Sequence, residues 1–206
     1  MLRLLQRLGY VDEEHVLQLK GRVACCVDTA DELLTTELLV GGAFGGLSVA
    51  EVAALASCLL PVDRPAARGV EHTEMPAVRG TPALVRAARA LWDTCASLAR
   101  ASAAEAGPVA AAEAAEAAGA KLRMELMAAV HAWADGQSFA SAWALCSGDV
   151  FEGELVRRLR QLDELLRQLV KAAQVLGDTS LEERFEACAA AIHRGIPFAS
   201  SLYEGI

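Results

Sequence analysis

The sequence predicts a mainly α fold, a helical bundle preceded by a small β-hairpin. Three observations carry this expectation. Alanine is abundant while aromatic residues make up only 5% of the 206 residues, and small apolar side chains without long β-branched runs pack as helices rather than as sheet. Helix start signals recur from residue 28 onward. Residues 150–176 carry one unbroken apolar seam at helical spacing. The hydrophobic fraction of 54% exceeds the soluble average of about 45–50%, which excludes a solvating, disordered chain.

The elements follow in order. Residues 2–8 read as a helix end, with Gly9 as its C′ stop. Val16-Leu17-Gln18-Leu19 then alternates, Lys20-Gly21 can turn, and Arg22 to Val27 runs on apolar, which predicts a hairpin over 16–27. Helices are expected at about 30–40, 48–60, 82–105, 109–118, 122–134, 138–146, 150–176 and 180–194. Thr29-x-x-Glu32, Ser48-x-x-Glu51 and Ser180-x-x-Glu183 fit the capping box, in which a hydroxyl and a carboxylate satisfy orphan N–H groups. Asp149 with Glu152 is a weaker form of it, and Thr81-Pro82 sets an N-cap before a proline at the first helical position. Gly41-Gly42-Ala43-Phe44-Gly45-Gly46 reads as a flexible link. Residues 61–80, with Pro61, Pro65, Gly69, Pro76 and Gly80, read as the longest and least ordered loop.

The helix at 150–176 has the sharpest pattern. Leu155, Leu159, Leu162, Leu166, Leu169, Ala173 and Leu176 alternate spacings of four and three, a seam about 39 Å long at 1.5 Å per residue. Arg157, Arg160, Gln161, Glu164, Gln168 and Lys171 mark a polar stripe on the other side. Such a stripe is either the solvated face of a bundle helix or a rail along which an elongated partner passes.

Charge and motifs narrow the function. Lys and Arg number 19 against 27 Asp and Glu, a net charge of −8, and the isoelectric point is 5.1. Bulk electrostatic binding to nucleic acid or anionic lipid is excluded, so any nucleic-acid contact must be a local stripe. The longest apolar stretch, Val52 to Val62, is too short to span a bilayer, and no signal-peptide pattern opens the chain, so an intracellular protein with no membrane partner is expected. The six cysteines form no C-x-x-C pair and are expected as free thiols. Asp12-Glu13-Glu14-His15 spells the metal- and water-handling box of a class of helicases, but no phosphate loop accompanies it and the match is read as accidental. His15, His72, His131 and His193 lie far apart, and no nucleophile motif appears. Neither a catalytic residue nor a metal site is expected in this chain.

Several strings are more specific. Arg7-Leu8-Gly9-Tyr10, Leu19-Lys20-Gly21-Arg22-Val23-Ala24-Cys25, Asp31-Glu32-Leu33-Leu34 and Thr36-Glu37-Leu38 come first. Leu126-Met127, Trp133, Gly136 and Phe139 follow, then Val150-Phe151-Glu152-Gly153, Leu155-Val156-Arg157 and Leu162-Asp163-Glu164-Leu165-Leu166-Arg167-Gln168. The chain closes on Ile196, Phe198-Ala199 and Ser201-Leu202-Tyr203. Together these resemble the C-terminal region, called the DSHCT domain, of DExH-box RNA helicases that serve the RNA exosome. The resemblance spans nearly the whole chain, is weakest at 61–120, and lies closer to the nuclear exosome branch than to the cytoplasmic superkiller branch.

The resemblance implies a layout and a role. Residues 1–28 would be the tail of a winged-helix domain with the hairpin as its wing, and residues 29–206 the C-terminal helical bundle. The 150–176 helix would be the family's "ratchet" helix, touching single-stranded RNA through Arg157, Arg160, Gln161, Glu164 and Gln168. The chain would then be the RNA-contacting domain of an ATP-dependent 3′–5′ RNA helicase that feeds RNA to the exosome, in the nucleus. Its partners would be the helicase ATPase domains in cis, the exosome and adaptor proteins. ATP and magnesium would belong to those ATPase domains. With no phosphate loop of its own, this chain is expected to be inactive alone and to be a piece of a larger helicase. Departures bear on the RNA contact: Gln161 stands where the family has an arginine, Cys26 where it has a glutamate, and Gly195 where it has an aspartate. Pro197 is unusual, and Glu204-Gly205-Ile206 runs past the usual end. The competing expectation is a helical protein-interaction module without RNA contact.

Overall fold

The computed structural model describes residues 1–61, 75–78, 80–146 and 150–199. Most of the expected 61–80 loop, Asp149, and the Ser201-Leu202-Tyr203 string lie outside the described residues.

The chain opens with α1 (Leu2–Arg7), and Gly9 follows it at φ +77°, the left-handed stop expected there. The D-E-x-H string is a turn. Asp12 accepts from the Val16 amide at 2.8 Å and the Gln18 side chain at 2.7 Å, and His15 takes φ +64°. The hairpin expected at 16–27 does not form. Residues Leu19–Ala24 are helix α2, and among the described residues β pairing is limited to a single bridge between Val11 and Leu17. Burial phase decides this. Gly21, Val23, Ala24 and Val27 are all buried, which a helical turn permits and an alternating strand does not. Gly21 also packs so closely that a Cβ there would lie 2.5 Å from both the Tyr10 carbonyl and the Leu17 side chain.

The next helix, α3 (Glu32–Val40), is capped by Asp31, whose carboxylate accepts from the Leu34 amide at 2.8 Å, and not by Thr29. The glycine-rich link is an anchored turn. Phe44 is buried edge-on against Phe185, with centroids 5.3 Å apart, and Arg184 donates to the Phe44 and Leu47 carbonyls. Next, α4 (Val49–Ser57) is buried from Ala50 to Ser57, and its capping box is complete in both directions.

On one flank α5 (Pro82–Ala103) pairs with α6 (Pro108–Ala117), and α5 packs on α3 and α4. Short 3-10 turns at Ala118–Lys121 and Met124–Leu126 lead to α7 (Met127–Ala134) and α8 (Phe139–Trp143). The last two helices complete the core: α9 (Glu152–Leu176) and α10 (Thr179–Ile192) run side by side, α4 packs on both, and α2 lies on α9. Asp178, rather than Ser180, caps α10 through the Leu181 amide at 3.0 Å. A final 3-10 turn, Ile196–Phe198, returns onto α9. Trp133 fixes this end: it is buried, donates to the Ile192 carbonyl at 2.9 Å and carries the Arg194 guanidinium 3.7 Å above its ring. Among the described residues no helix is long and apolar enough to cross a membrane. The cysteines are unpaired, with Cys58, Cys95 and Cys188 buried.

One carboxylate starts two helices. Glu51 accepts from the Ser48 amide at 2.8 Å and from the hydroxyl of Thr81, which in turn accepts from Leu84 N as the N-cap of α5. The Thr81 hydroxyl is the main influence holding the Glu51 carboxyl below its usual range; burial opposes it and the Ser48 amide adds to it. A carboxylate depressed in the folded state adds stability above its unfolded pKa and loses it as the pH falls through the folded value. Replacing Glu51 by Ala is therefore expected to cost about 1–2 kcal/mol at pH 7. In urea unfolding the gap from the parent chain should narrow as the pH drops below about 4.3. A gap that stays constant with pH would refute the assignment.

Candidate functional site

The long helix α9 presents two faces that differ in kind. Leu155, Leu159, Leu162, Leu165, Leu166, Leu169, Ala172 and Ala173 are completely buried. The opposite side, from Arg157 to Lys171, is open to solvent over about 21 Å of helix. Both faces follow from the sequence at 3.6 residues per turn, since seam and stripe each repeat at alternating steps of three and four.

The structure divides the five expected site residues. Arg157, Arg160 and Glu164 share the exposed face. Arg160 also donates through Nε to the Pro197 carbonyl at 2.6 Å, which ties it to the last turn of the chain. Gln161 is only half-exposed, and its carbonyl oxygen accepts from Arg158 Nη1 at 2.8 Å. Gln168 is withdrawn altogether, at 6% exposure. Its oxygen accepts from the Asp28 and Thr29 amides at 3.0 and 3.1 Å. Its nitrogen donates to Asp28 Oδ1 at 2.5 Å, Thr29 Oγ1 at 2.8 Å and Glu164 Oε1 at 3.3 Å. Gln168 thus fastens the segment before α3 to α9.

Two residues that shape the candidate site escaped the sequence reading. Arg167 is exposed and belongs to the stripe, where it pairs with Asp163 at 2.6 Å. The signal was present, since 157, 160, 164, 167 and 171 step by three and four; the step from 164 was taken as four, to Gln168, instead of three. Arg158 is the other, at 1% exposure. Its guanidinium donates to the Pro61 carbonyl at 2.9 Å and pairs with Glu154 at 3.4 Å. Burial pushes the Glu154 carboxyl up, but Arg123 at 3.0 Å and Arg158 outweigh it and hold it below the usual range. No periodicity marks such a residue, because a buried arginine sits at a position where the pattern asks for an apolar one.

The stripe therefore carries Arg157, Arg160, Arg167 and Lys171 around one carboxylate, Glu164. Asp163, nearly buried, also faces His193 Nδ1 at 3.4 Å, and the His193 ring stacks on Phe198 at 4.3 Å. The adjoining helix α2, which packs on α9, carries the exposed Arg22. Burial pushes the half-buried Cys26 thiol up, the neighbouring Cys25 adds to this, and Lys171 and Arg22 oppose it. Away from α9, a mostly apolar cleft of about 390 Å³ opens between Trp92, Leu122, Met124, Met127 and Leu145. Among the described residues no three His, Cys, Asp or Glu side chains gather as metal ligands. The stripe's chemistry is that of spaced cationic donors on a rigid support, suited to anionic oxygens presented in series.

Comparison with known proteins identifies the family. The model of the DSHCT (NUC185) domain matches residues 14–199. The DExH-box ATP-dependent RNA helicase DExH10 of Arabidopsis thaliana is 39% identical over 98% of this chain and 19% of its own length. The ATP-dependent RNA helicase mtr4 of Schizosaccharomyces pombe is 37% identical over 98% of this chain and 17% of its own length. The exosome RNA helicase MTR4 of Homo sapiens is 37% identical over 98% of this chain and 18% of its own length. This chain belongs to the DSHCT domain family and spans less than a fifth of the length of these curated relatives.

Two residues of α9 differ in what their loss would do. Gln168→Ala strands the Asp28 and Thr29 amides and should destabilise the fold by about 1–3 kcal/mol. Lys171→Ala truncates an exposed side chain of the stripe and should change stability by less than about 1 kcal/mol. Chemical denaturation of both variants checks this ranking, and equal losses would contradict the division of the helix into a clamp and a stripe.

Proposed function

We propose that this DSHCT-family chain is the RNA-contacting C-terminal helical domain of an ATP-dependent 3′–5′ RNA helicase that feeds RNA to the exosome. In this reading residues 1–28 are the tail of a winged-helix domain and residues 29–206 are the bundle. The observation that carries it is the line of Arg157, Arg160, Arg167 and Lys171 on the open side of a helix whose other side is wholly buried. The relatives' descriptions as ATP-dependent and exosome RNA helicases support it. ATP and magnesium would be held by the ATPase domains of such a protein, acting in cis. The exosome and its adaptors would be the further partners, in the nucleus.

The chemistry suits a strand that must move. Each exposed guanidinium–phosphate contact is weak and salt-screened, so it positions the strand without holding it in one register. The buried leucine seam keeps the contact points fixed while the strand passes. Gln161 and Gln168, expected as contacts, act here within the protein: Gln161 accepts from Arg158 and Gln168 clamps residues 28 and 29.

A second reading, a helical interaction module without RNA contact, draws on the net charge of −8. It also draws on the exposed apolar side chains of Trp143, Leu145 and Phe151 just before α9.

Fluorescence anisotropy with a labelled oligouridine separates the two readings. Binding at low salt should weaken with a log–log salt slope of about 3, since each phosphate neutralised on a single strand contributes about 0.7. The double variant Arg157→Ala/Arg160→Ala should lower that slope by about 1.4 while far-UV circular dichroism stays unchanged. Absence of binding at low salt, or a slope untouched by the double variant, would move the interaction module to first place.

A further inference from the structure

We propose that the turn Ile196–Phe198 is a clasp that tightens on α9 when His193 takes up a proton. The first support is geometric. His193 ends α10, and its ring lies on that of Phe198 with centroids 4.3 Å apart and planes 26° from parallel. Its Nδ1 faces Asp163 Oδ1 at 3.4 Å. One imidazole therefore meets both parts that the clasp must join, a carboxylate of α9 and the ring carried by the turn. The His193 side chain is 51% exposed, so solvent protons reach it, while that of Asp163 is only 10% exposed.

The second support is that each surrounding of His193 favours the imidazolium over the neutral ring. A hydrogen bond to a carboxylate strengthens when the donor is charged. A cation on an aromatic face is drawn by the ring quadrupole. The C-terminal end of a helix, where His193 stands, also favours a cation. The nearby cations oppose this, but each is engaged elsewhere. Arg167 pairs with the other Asp163 oxygen at 2.6 Å, and Arg160 donates to the Pro197 carbonyl. Arg194 lays its guanidinium over Trp133 and donates to the Gln137 carbonyl at 2.7 Å. Glu186, two turns back on the same face of α10, and Asp135, at the end of α7, are exposed carboxylates. The turn itself carries no charged side chain.

The third support is how the turn is hung. Gly195 sits at φ +60° and ψ −152°, a region that glycine alone adopts readily, and supplies a hinge between α10 and the turn. Beyond the hinge the turn is fastened by buried Pro197, by the Arg160 bond to the Pro197 carbonyl at 2.6 Å, and by Phe198 on His193. Strengthening the His193 contacts therefore acts on a sizeable part of the attachment. Arg160 is tied to the same turn, so a tighter clasp also holds that exposed guanidinium more firmly. A contact that gains strength on protonation is fullest at low pH and fades as the pH rises.

Hydrogen exchange at the Phe198 and Ala199 amides reads the clasp, since they donate to the Gly195 and Ile196 carbonyls at 3.1 and 3.3 Å. The rates are measured by NMR on the full chain at about pH 8 and about pH 5.5, the span over which imidazoles change charge. Each is divided by the intrinsic rate at that pH. The proposal expects protection to be roughly two- to fivefold higher at the lower pH, the scale of one exposed ion pair with a ring contact. His193→Gln, at an exposed position, should keep its circular dichroism and lose the pH response. Asp163→Asn should lose at least about half of the rise. Equal protection at the two pH values in the parent chain, or a rise that survives in His193→Gln, overturns the clasp. A rise retained in full by Asp163→Asn overturns the carboxylate's part in it. Should that variant fail to fold, Phe198→Leu tests the other contact, and a rise retained in full there overturns the clasp.

Discussion

The leucine seam of α9 is the constraint on which the rest of the molecule depends. A lone helix of 25 residues with so much apolar surface has little reason to stay monomeric or ordered in water. Covering that surface requires α10 alongside it, α4 across it and α2 at its flank. Each fully buried leucine contributes about 1.5–3 kcal/mol relative to exposure, and six of them lie on this one helix. Once the seam is covered from those sides, a single strip of α9 is left facing water, and the position of every charged side chain on it is settled. Placement of the stripe is thus a by-product of core packing.

Polar side chains inside this core work as joints between elements that apolar contacts alone would leave free to slide. Glu51 links the start of α4 to the start of α5. Gln168 links α9 to the segment before α3. Arg158 links α9 to the carbonyl of Pro61 at the end of the α4 region, with Glu154 balancing its charge. Hydrogen bonds have direction and leucine contacts do not, so each joint selects one register among the several that packing would tolerate. The cost of breaking any of them is the cost of leaving a buried donor or charge without its partner.

The sequence discloses those features that depend on period and local chemistry. The seam, the caps at Ser48 and Thr81 and the stop at Gly9 are readable because each is satisfied within a few residues of itself. The hairpin at 16–27 was misread because Val16-Leu17-Gln18-Leu19 alternates locally, while the burial of Val23, Ala24 and Val27 is decided by α9, far along the chain. Thr29 and Ser180 lost their expected cap roles to Asp31 and Asp178, rival acceptors within two residues that suit the phase of the helix each begins. The glycine-rich link is pinned by Phe44 on Phe185, a contact no local pattern reveals. In the candidate site, Arg157, Arg160 and Glu164 could be read from spacing. The inward turn of Gln168 could not, since its partners are Asp28 and Thr29.

The clamp at Gln168 has a consequence for how the chain is made. Asp28 meets Gln168 and Phe44 meets Arg184 across separations of 140 residues, and Val49 meets Cys188 across 139. The apolar run of α4 is therefore synthesised long before α9 and α10, two of the surfaces that cover it. At about 5–20 residues per second the interval is roughly 7–28 s. Through that interval α7 can already pack on α4, but the parts of α4 that α9 and α10 cover stay open, and late contacts of this kind also slow folding. A ribosome stalled, or a chain truncated, anywhere before α9 leaves a polypeptide that cannot close its core, and such a product is a substrate for quality control rather than a smaller working domain.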